Sequence, residues 1–174
     1  MKARTKDILL RYGKERQRNL LARPGVHDYV VVLDSLKPGF NIPKVFRSAE
    51  ALGAREVHLI DIGPFDPAPA KGSFRKVPAR FHDNFQGCWD ALRAQGYDLF
   101  LLDPAGENPL PATALPGKSA FVFGHEEWGF SFDPANYPGL RRLAIPQYGQ
   151  VQSLNVSIAA SIVMYEYVRQ HGSR

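Results

Sequence analysis

Short apolar runs alternate with amphipathic stretches along most of this chain. Five runs have the near-continuous apolar composition of buried strands: residues 28–34, 56–62, 97–103, 119–124 and 141–145. Three stretches have the apolar spacing of helices: residues 43–53, 84–96 and 153–170. Because apolar strands that alternate with helices are typical of parallel sheets, the pattern predicts an α/β fold with helices on both faces of a parallel sheet.

The segment before this pattern is basic and helical. Residues 3–22 predict a helix that ends at Pro24 and Gly25, because proline cannot continue the hydrogen-bond ladder. The chain therefore divides into a basic N-terminal helical extension, residues 1–25, and one α/β domain, residues 26–174. Within that domain, residues 63–84 are rich in Pro, Gly and basic side chains and predict a long loop.

The net charge of +5 is concentrated at the N-terminus. Residues 1–23 hold eight Lys or Arg side chains and two acids, and the rest of the chain is close to neutral. The eight are Lys2, Arg4, Lys6, Arg11, Lys14, Arg16, Arg18 and Arg23. This clustering is typical of an arm that binds nucleic-acid phosphates, although a solvated helix face is the simpler interpretation.

Several functional classes are disfavoured by what the sequence lacks. Cys88 is the one cysteine, so no disulfide can form within the chain, and a reducing cytoplasm is the expected location. No apolar run is long enough to predict a membrane span. Dinucleotide fingerprints, phosphate loops and serine-hydrolase elbows are missing, and no Cys and His residues have zinc-ligand spacing, so no metal is expected.

Three segments that follow strands carry candidate chemistry, because ligands of parallel sheets lie at the carboxyl ends of strands. Residues 40–53 place Asn41 at a strand-to-helix junction, and Arg47 lies next to the inward face of the helix, where it needs a partner or an anion. In residues 121–131 an apolar strand ends at Gly124, and acids follow. Residues 145–166 place Ser153 or Asn155 at a helix start. Taken singly, these segments are an N-cap, a turn and a capped helix.

Taken together, the three segments resemble the three motifs of the SpoU/TrmH family of RNA ribose 2′-O-methyltransferases, within the SPOUT superfamily. The resemblance covers residues 28–168. The first motif is matched by Asn41, Arg47, Ser48, Ala49 and Gly53. The second is matched by Gly124, His125, Glu126, Gly129 and Ser131. The third is matched by Ile145, Pro146, Gly149, Ser153, Leu154, Asn155, Val156, Ser157, Ala159 and Ala160.

The resemblance implies a fold, a reaction and partners. The C-terminal part of the sheet is expected to thread into a deep trefoil knot, and two chains are expected to dimerise through that region. S-adenosylmethionine is the implied cofactor, with Gly124, Ile145, Leu154 and the loop after Asp103 around it. The implied reaction is methyl transfer to a ribose 2′-hydroxyl of RNA, and tRNA is favoured over rRNA because related proteins bind tRNA through terminal extensions.

Five residues are the expected catalytic set. The resemblance makes Arg47 the group that activates the 2′-hydroxyl. Because guanidinium groups stay protonated in proteins, we predict instead that Arg47 binds the adjacent phosphate and stabilises charge on the attacking oxygen. Asn41 is expected to orient the loop or the hydroxyl, and Glu126 to hold Arg47 or cap the knot loops. Ser153 and Asn155 are expected to build the ribose pocket.

The sequence departs from the family motifs at three positions. Pro43 stands where a small residue is usual, His125 where Ser or Asn is usual, and Glu127 where glycine is frequent. His125 is therefore a second candidate base, although a structural role for it is favoured.

A second basic segment and two aromatic residues are also expected to meet RNA. Lys71, Arg75, Lys76 and Arg80 are predicted to follow the RNA backbone. Phe74 and Phe81 are predicted to stack on bases or to pack in the core.

Three other functions stay open at this point. A SPOUT enzyme that methylates bases has the same fold, although the SLNVS motif speaks against it. A catalytically silent RNA-binding dimer is disfavoured by the intact Arg47 and Asn155. A generic nucleotide-binding domain is disfavoured because no phosphate loop is present.

Overall fold

Every strand pairing in the sheet is parallel. The computed structural model describes residues 3–172, in which seven strands have the order β3-β2-β1-β6-β4-β7-β5. The strands are β1 (Tyr29–Asp34), β2 (Glu56–Ile60), β3 (Ala79–His82), β4 (Asp98–Leu102), β5 (Asn108–Pro109), β6 (Ser119–Phe123) and β7 (Arg141–Ala144). The α-helices are α1 (Ala3–Asn19), α2 (Asn41–Ala51), α3 (Phe85–Ala94) and α4 (Val156–His171). The predicted parallel α/β fold is confirmed.

Helices cover both faces of the sheet, because the central strands alternate their side chains between two cores. Val31 and Leu33 of β1 belong to the core that α1, α2 and α4 complete. Val30 and Val32 belong to the core on the opposite face, which α3 completes. Apolar side chains on both faces explain why these strands have near-continuous apolar sequences.

The prediction of one long loop over residues 63–84 is wrong. Strand β3 lies in that stretch and pairs with β2 from Val57 opposite Ala79 to Ile60 opposite His82. It is an edge strand with the sequence ARFH, and its side chains are half-buried or exposed. Because only strands buried on both faces require a continuous apolar run, β3 has no such signal. Strand β5 is two residues long, which is too short for any periodicity.

Helix α1 is docked on the domain and contributes to its core. Tyr12 is buried, and its ring lies 5.2 Å from that of Phe65 and 5.8 Å from that of Phe74. Asn19 is also buried, where it donates to the carbonyl oxygens of Phe74 and Val77. The predicted helix is therefore present, but it ends at Asn19, and α1 packs as part of the globular unit.

The last part of the chain enters the middle of the sheet. After β5 at the edge, the chain returns to β6, between β1 and β4, and then to β7 on the far side of β4. Helix α4 then packs against α2, where the hydroxyls of Ser48 and Ser161 lie 2.8 Å apart. This contact confirms that the small residues of α4 allow another helix to approach closely. No helix within residues 3–172 is long and apolar enough to cross a membrane.

Helix α4 has two apolar faces. Its buried face carries Val156, Ala160, Val163, Met164 and Tyr167. A second set of apolar residues at helical spacing, Ile158, Ile162 and Tyr165, lies elsewhere on the helix and is exposed.

Candidate functional site

A cavity of about 370 Å³ lies at the carboxyl ends of β4, β6 and β7. This size is within the range of small-molecule sites. The four residues expected around a cofactor all line it: Asp103, Gly124, Ile145 and Leu154. Two residues of the expected catalytic set, Glu126 and Ser153, line it as well. The fold therefore brings residues of the second and third motifs together around one space.

Gly124 can only be glycine because the backbone crosses directly over it. A Cβ atom at this position would lie 2.7 Å from the carbonyl oxygen of Gly129. His125 N donates to that oxygen at 2.7 Å, and Gly129 N donates back to the carbonyl oxygen of His125 at 2.9 Å. Gly129 completes the turn with φ at +73°, a conformation that side chains disfavour. The loop after β6 therefore folds tightly against the cavity.

Asp34 anchors the far end of this loop, and the sequence did not single it out. Its carboxylate is fully buried at the end of β1 and accepts from Ser131 N at 2.7 Å and from Ser131 Oγ at 2.6 Å. A buried carboxylate requires such partners. The available signal was an acid that ends an otherwise apolar strand.

Three motif residues form one chain of hydrogen bonds. Asn155 Nδ2 donates to Asn41 Oδ1 at 3.1 Å, and Asn41 Nδ2 donates to Glu126 Oε1 at 2.7 Å. Asn155 is also the N-cap of α4, since its Oδ1 accepts from Ser157 N at 3.0 Å and from Ser157 Oγ at 2.7 Å. The interpretation of Asn41 as an N-cap is wrong, because Asn41 is the first residue of α2 and its side chain faces Glu126.

The N-cap of α4 determines which atoms donate and which accept in this series of hydrogen bonds. Because Asn155 must present its oxygen to the free N–H groups of α4, its nitrogen faces Asn41. Asn41 then presents its oxygen to Asn155 and its nitrogen to Glu126. Within residues 3–172, Oε1 of Glu126 accepts from Asn41, and Oε2 has no hydrogen-bond donor. The cavity is thus lined by a positioned carboxylate that can accept a further hydrogen bond.

Arg47 lies apart from the hydrogen bonds that join Asn155, Asn41 and Glu126. Its side chain is exposed and has no hydrogen bond or ion pair with any residue that the structure describes. The expected contact between Glu126 and Arg47 is therefore absent, and Asn41 holds Glu126 instead. Asn41 and Arg47 are six positions apart on α2, about 9 Å along the helix axis. An exposed guanidinium without a protein partner remains free to bind an anion.

The three departures from the family motifs have structural accounts. Pro43 is buried in the first turn of α2, where a proline is tolerated. His125 Nδ1 accepts from the backbone N of Glu127 at 3.0 Å and of Trp128 at 3.3 Å, which supports the structural role. Glu127 pairs with Lys37 at 3.0 Å on the surface.

Gln147 is a cavity residue that the sequence did not reveal. Its side-chain oxygen is buried and has no hydrogen-bond partner within residues 3–172. The residue lines the cavity next to Ile145. An unsatisfied buried carbonyl is costly, so this oxygen is suited to accept from a donor of a bound ligand.

The basic segment of residues 71–80 is partly neutralised. Arg75, Lys76 and Arg80 contact Glu15, Glu50 and Glu56 at 3.8, 3.2 and 3.0 Å. Of the two aromatic residues, Phe74 is fully buried, so the core-packing alternative is correct for it. Phe81 lies under the guanidinium of Arg16, 4.3 Å from its ring centroid.

Comparisons with known proteins place these motifs in one family. The model of the SpoU rRNA Methylase family matches residues 28–165. The tRNA (guanosine(18)-2′-O)-methyltransferase of Thermus thermophilus is 29% identical over 151 residues, which cover 82% of this chain and 75% of that one. The 23S rRNA (guanosine-2′-O-)-methyltransferase RlmB of Xylella fastidiosa is 29% identical over 167 residues, which cover 88% of this chain and 63% of that one.

A solved structure extends the comparison to the fold. The SpoU methyltransferase AviRb from Streptomyces viridochromogenes, in complex with the cofactor AdoMet, superposes with a TM-score of 0.73 at 27% sequence identity. The match covers 89% of this chain and 63% of AviRb. The chain thus spans less than two thirds of both RlmB and AviRb.

Proposed function

The chain belongs to the SpoU rRNA methylase family, and we propose that it transfers the methyl group of S-adenosylmethionine to a ribose 2′-hydroxyl of RNA, with tRNA favoured over rRNA. One observation carries the proposal: residues of the second and third motifs line one cavity, and the first motif joins them through the hydrogen bond from Asn41 to Glu126. There Asn155, Asn41 and Glu126 form a single hydrogen-bonded chain. The relatives supply the reaction, since both tRNA and rRNA 2′-O-methyltransferases are similar to this chain.

The cavity fits the cofactor in size and polarity. Gly124 lines the cavity and lets the loop after β6 fold tightly beside it, and the buried oxygen of Gln147 offers an acceptor to a cofactor N–H or O–H group. Asp103 closes one side, where Arg142 holds its carboxylate at 2.9 Å. When bound, S-adenosylmethionine supplies the electrophilic methyl group.

The protein positions the ribose hydroxyl and binds the phosphate next to it. The free oxygen of Glu126 accepts a hydrogen bond from the 2′-hydroxyl, and the chain from Asn155 through Asn41 keeps that carboxylate in place. Ser153 forms a further wall of the ribose pocket. Arg47 binds an adjacent phosphate, since its guanidinium is exposed and a planar fork matches phosphate oxygens.

The RNA surface is centred on α1. Lys6 and Lys14 are exposed and form no ion pair with another described residue, so both remain free for phosphates. Several cations of the segment of residues 71–80 already have carboxylate partners, which makes that segment the weaker contributor. The extension of residues 1–25 thus acts as an RNA-binding element that is packed on the catalytic domain of residues 26–174.

The enzyme acts as a homodimer through the C-terminal region, in which the chain forms a trefoil knot. The exposed apolar residues Ile158, Ile162 and Tyr165 form a stripe on α4, and Tyr148 lies beside it. A stripe of this kind on one helix matches the surface that a second copy would cover. The cytoplasm, which holds the tRNA and rRNA of bacteria, is the proposed location.

The test measures methyl transfer from labelled S-adenosylmethionine to total tRNA and, separately, to rRNA that lacks the modification. The native chain and Arg47→Ala are compared. We expect label in tRNA, within a dinucleotide that resists nuclease because its 2′-oxygen is blocked. Label in mononucleotides would show base methylation and reject the ribose assignment. Cofactor binding without label in either RNA pool would support the silent RNA-binding dimer.

A further inference from the structure

A second cluster of polar side chains lies away from the cavity, at the edge of the sheet. His58 of β2, His82 of β3 and Cys88 of α3 present ligand atoms that all lie within 4.8 Å of one another. His82 Nε2 lies 2.9 Å from His58 Nδ1, and Cys88 Sγ lies 3.5 Å from the same atom. His58 and Cys88 are buried, and His82 is half-buried. The reaction proposed above uses none of the three.

A carboxylate orients the central histidine. His58 Nε2 lies 2.8 Å from Glu56 Oε1, and Arg80 Nε donates to Glu56 Oε2 at 3.0 Å. Because a carboxylate oxygen accepts, His58 Nε2 is the donor in its contact with Glu56 Oε1, and the proton of His58 lies on Nε2. The lone pair of His58 is then on Nδ1, the atom that faces His82 and Cys88. Carboxylate–histidine pairs of this kind fix the ring of metal-binding histidines.

Two of the three ligand-atom separations are close to those of a tetrahedral zinc site, and all three atoms lie within 4.8 Å of one another. Zn–N bonds of about 2.05 Å and Zn–S bonds of about 2.3 Å place two nitrogens about 3.3 Å apart and a nitrogen and a sulfur about 3.6 Å apart. The observed 3.5 Å between Sγ and Nδ1 agrees with this value. The two nitrogens, at 2.9 Å, would separate by about 0.4 Å as the rings tilt.

We propose that His58, His82 and Cys88 bind one Zn²⁺ ion, with Glu56 as the group that positions His58. Imidazole nitrogen and thiolate sulfur are the donors that Zn²⁺ prefers. Two donors also converge on one acceptor here, because both His82 and Cys88 face His58 Nδ1. A metal ion resolves this crowding, since each of the three atoms then donates its own lone pair to the ion. Water completes the coordination from the half-buried side of His82.

The ion would act as a structural link at the edge of the sheet. It connects β2, β3 and α3. No residue of β3 is fully buried, whereas β1 and β2 are buried throughout. Binding to the folded state alone would stabilise the chain against unfolding. The cluster lies outside the cavity lining, so its metal is separate from methyl transfer.

The experiment uses the full chain, stripped of metal by a chelator and titrated with Zn²⁺ or Co²⁺. We expect one ion per chain, a rise in melting temperature with Zn²⁺, and a thiolate-to-cobalt charge-transfer band with Co²⁺. Cys88→Ser should remove that band, and Glu56→Gln should weaken affinity by roughly 10- to 100-fold. His27→Gln is the matched control, because His27 lies outside the cluster, and it should bind as the native chain does.

Three results would overturn the proposal. One is a native chain that binds no stoichiometric Zn²⁺, which would leave a hydrogen-bonded cluster alone. Another is a cobalt complex without the thiolate band, and the third is unchanged affinity in both Cys88→Ser and His82→Gln. His82→Gln serves if Cys88→Ser does not fold, since His82 is the half-buried member. None of these readouts depends on methyl transfer, so failure here leaves the proposed function intact.

Discussion

Asn155 joins the start of α4 to the start of α2 through one side chain. Its Oδ1 caps α4 by accepting from Ser157 N at 3.0 Å, and its Nδ2 donates to Asn41 Oδ1 at 3.1 Å. A single amide therefore serves both helix stability and the orientation of Glu126. Substitutions that keep one function and remove the other can separate the two.

The first prediction separates these two functions of Asn155. Asn155→Asp keeps an N-cap acceptor, so the free energy of unfolding should change little, but the donor to Asn41 is lost and methyl transfer should fall. Asn155→Ala removes both the cap acceptor and the donor to Asn41. It should therefore lower methyl transfer and also lower the unfolding free energy by about 1 kcal/mol. Thermal unfolding and turnover are measured on both variants. Native turnover in Asn155→Asp would show that the hydrogen bond to Asn41 has no catalytic role.

The second prediction concerns Arg47. Arg47→Ala should lower turnover by about 100-fold, because one donor to developing charge is lost in the transition state. Arg47→Lys should recover only part of the native turnover, since an ammonium cannot form a forked pair with phosphate. The fold should be unaffected because the side chain is exposed. Lys44→Ala, at another exposed cation of α2, is the control. Near-native turnover of Arg47→Lys would reject a specific arginine role.

The third prediction tests the unsatisfied oxygen of Gln147. Gln147→Leu removes an acceptor from the cavity, so affinity for S-adenosylmethionine should fall by about 2- to 10-fold, the worth of one hydrogen bond. The cofactor-free chain should be equally stable or slightly more stable, because a buried unsatisfied oxygen is gone. Calorimetric titration and thermal unfolding give the two values. Unchanged affinity would show that the cofactor does not bond to Gln147.

The fourth prediction concerns the charges of α1. Changing Lys6 and Lys14 to Gln should lower the slope of log affinity against log salt by about 1.5 for RNA, since two phosphate contacts are lost. Affinity for S-adenosylmethionine should stay the same. Deletion of residues 1–23 is a poor substitute, because it would also remove the buried Tyr12 and Asn19. An unchanged salt slope in the double variant would remove these two lysines from the RNA surface.

The fifth prediction tests the dimer. Ile162→Glu places a charge in the exposed stripe of α4 and should shift the chain from dimer to monomer in light scattering. Leu20→Glu is the control, because Leu20 is 84% exposed on another surface and the change should leave the dimer intact. A monomeric native chain would contradict the proposed dimer, and so would an Ile162→Glu variant that stays dimeric.

The α/β class, five of the seven strands and the residues of the three motifs could be predicted from the amino-acid sequence. These features depend on local periodicity and on residue identity, and both are visible along the chain. The cavity residues Gly124, Ile145 and Leu154 were identified by resemblance to a family, and the structure places all three in one lining.

The contacts between side chains that are distant in sequence became visible only in the folded chain. Asn41 was expected to orient the loop or the hydroxyl, and Glu126 to hold Arg47 or cap the knot loops. The hydrogen bond that joins Asn41 to Glu126, 85 residues apart in sequence, was not predicted. Gln147 became a candidate ligand-binding residue only because the folded structure buries its side-chain oxygen without a hydrogen-bond partner among the described residues. Strand β3 also escaped prediction, because an edge strand requires neither an apolar run nor strict alternation. Such features depend on which surfaces come into contact when the chain folds, and local sequence patterns do not predict those contacts.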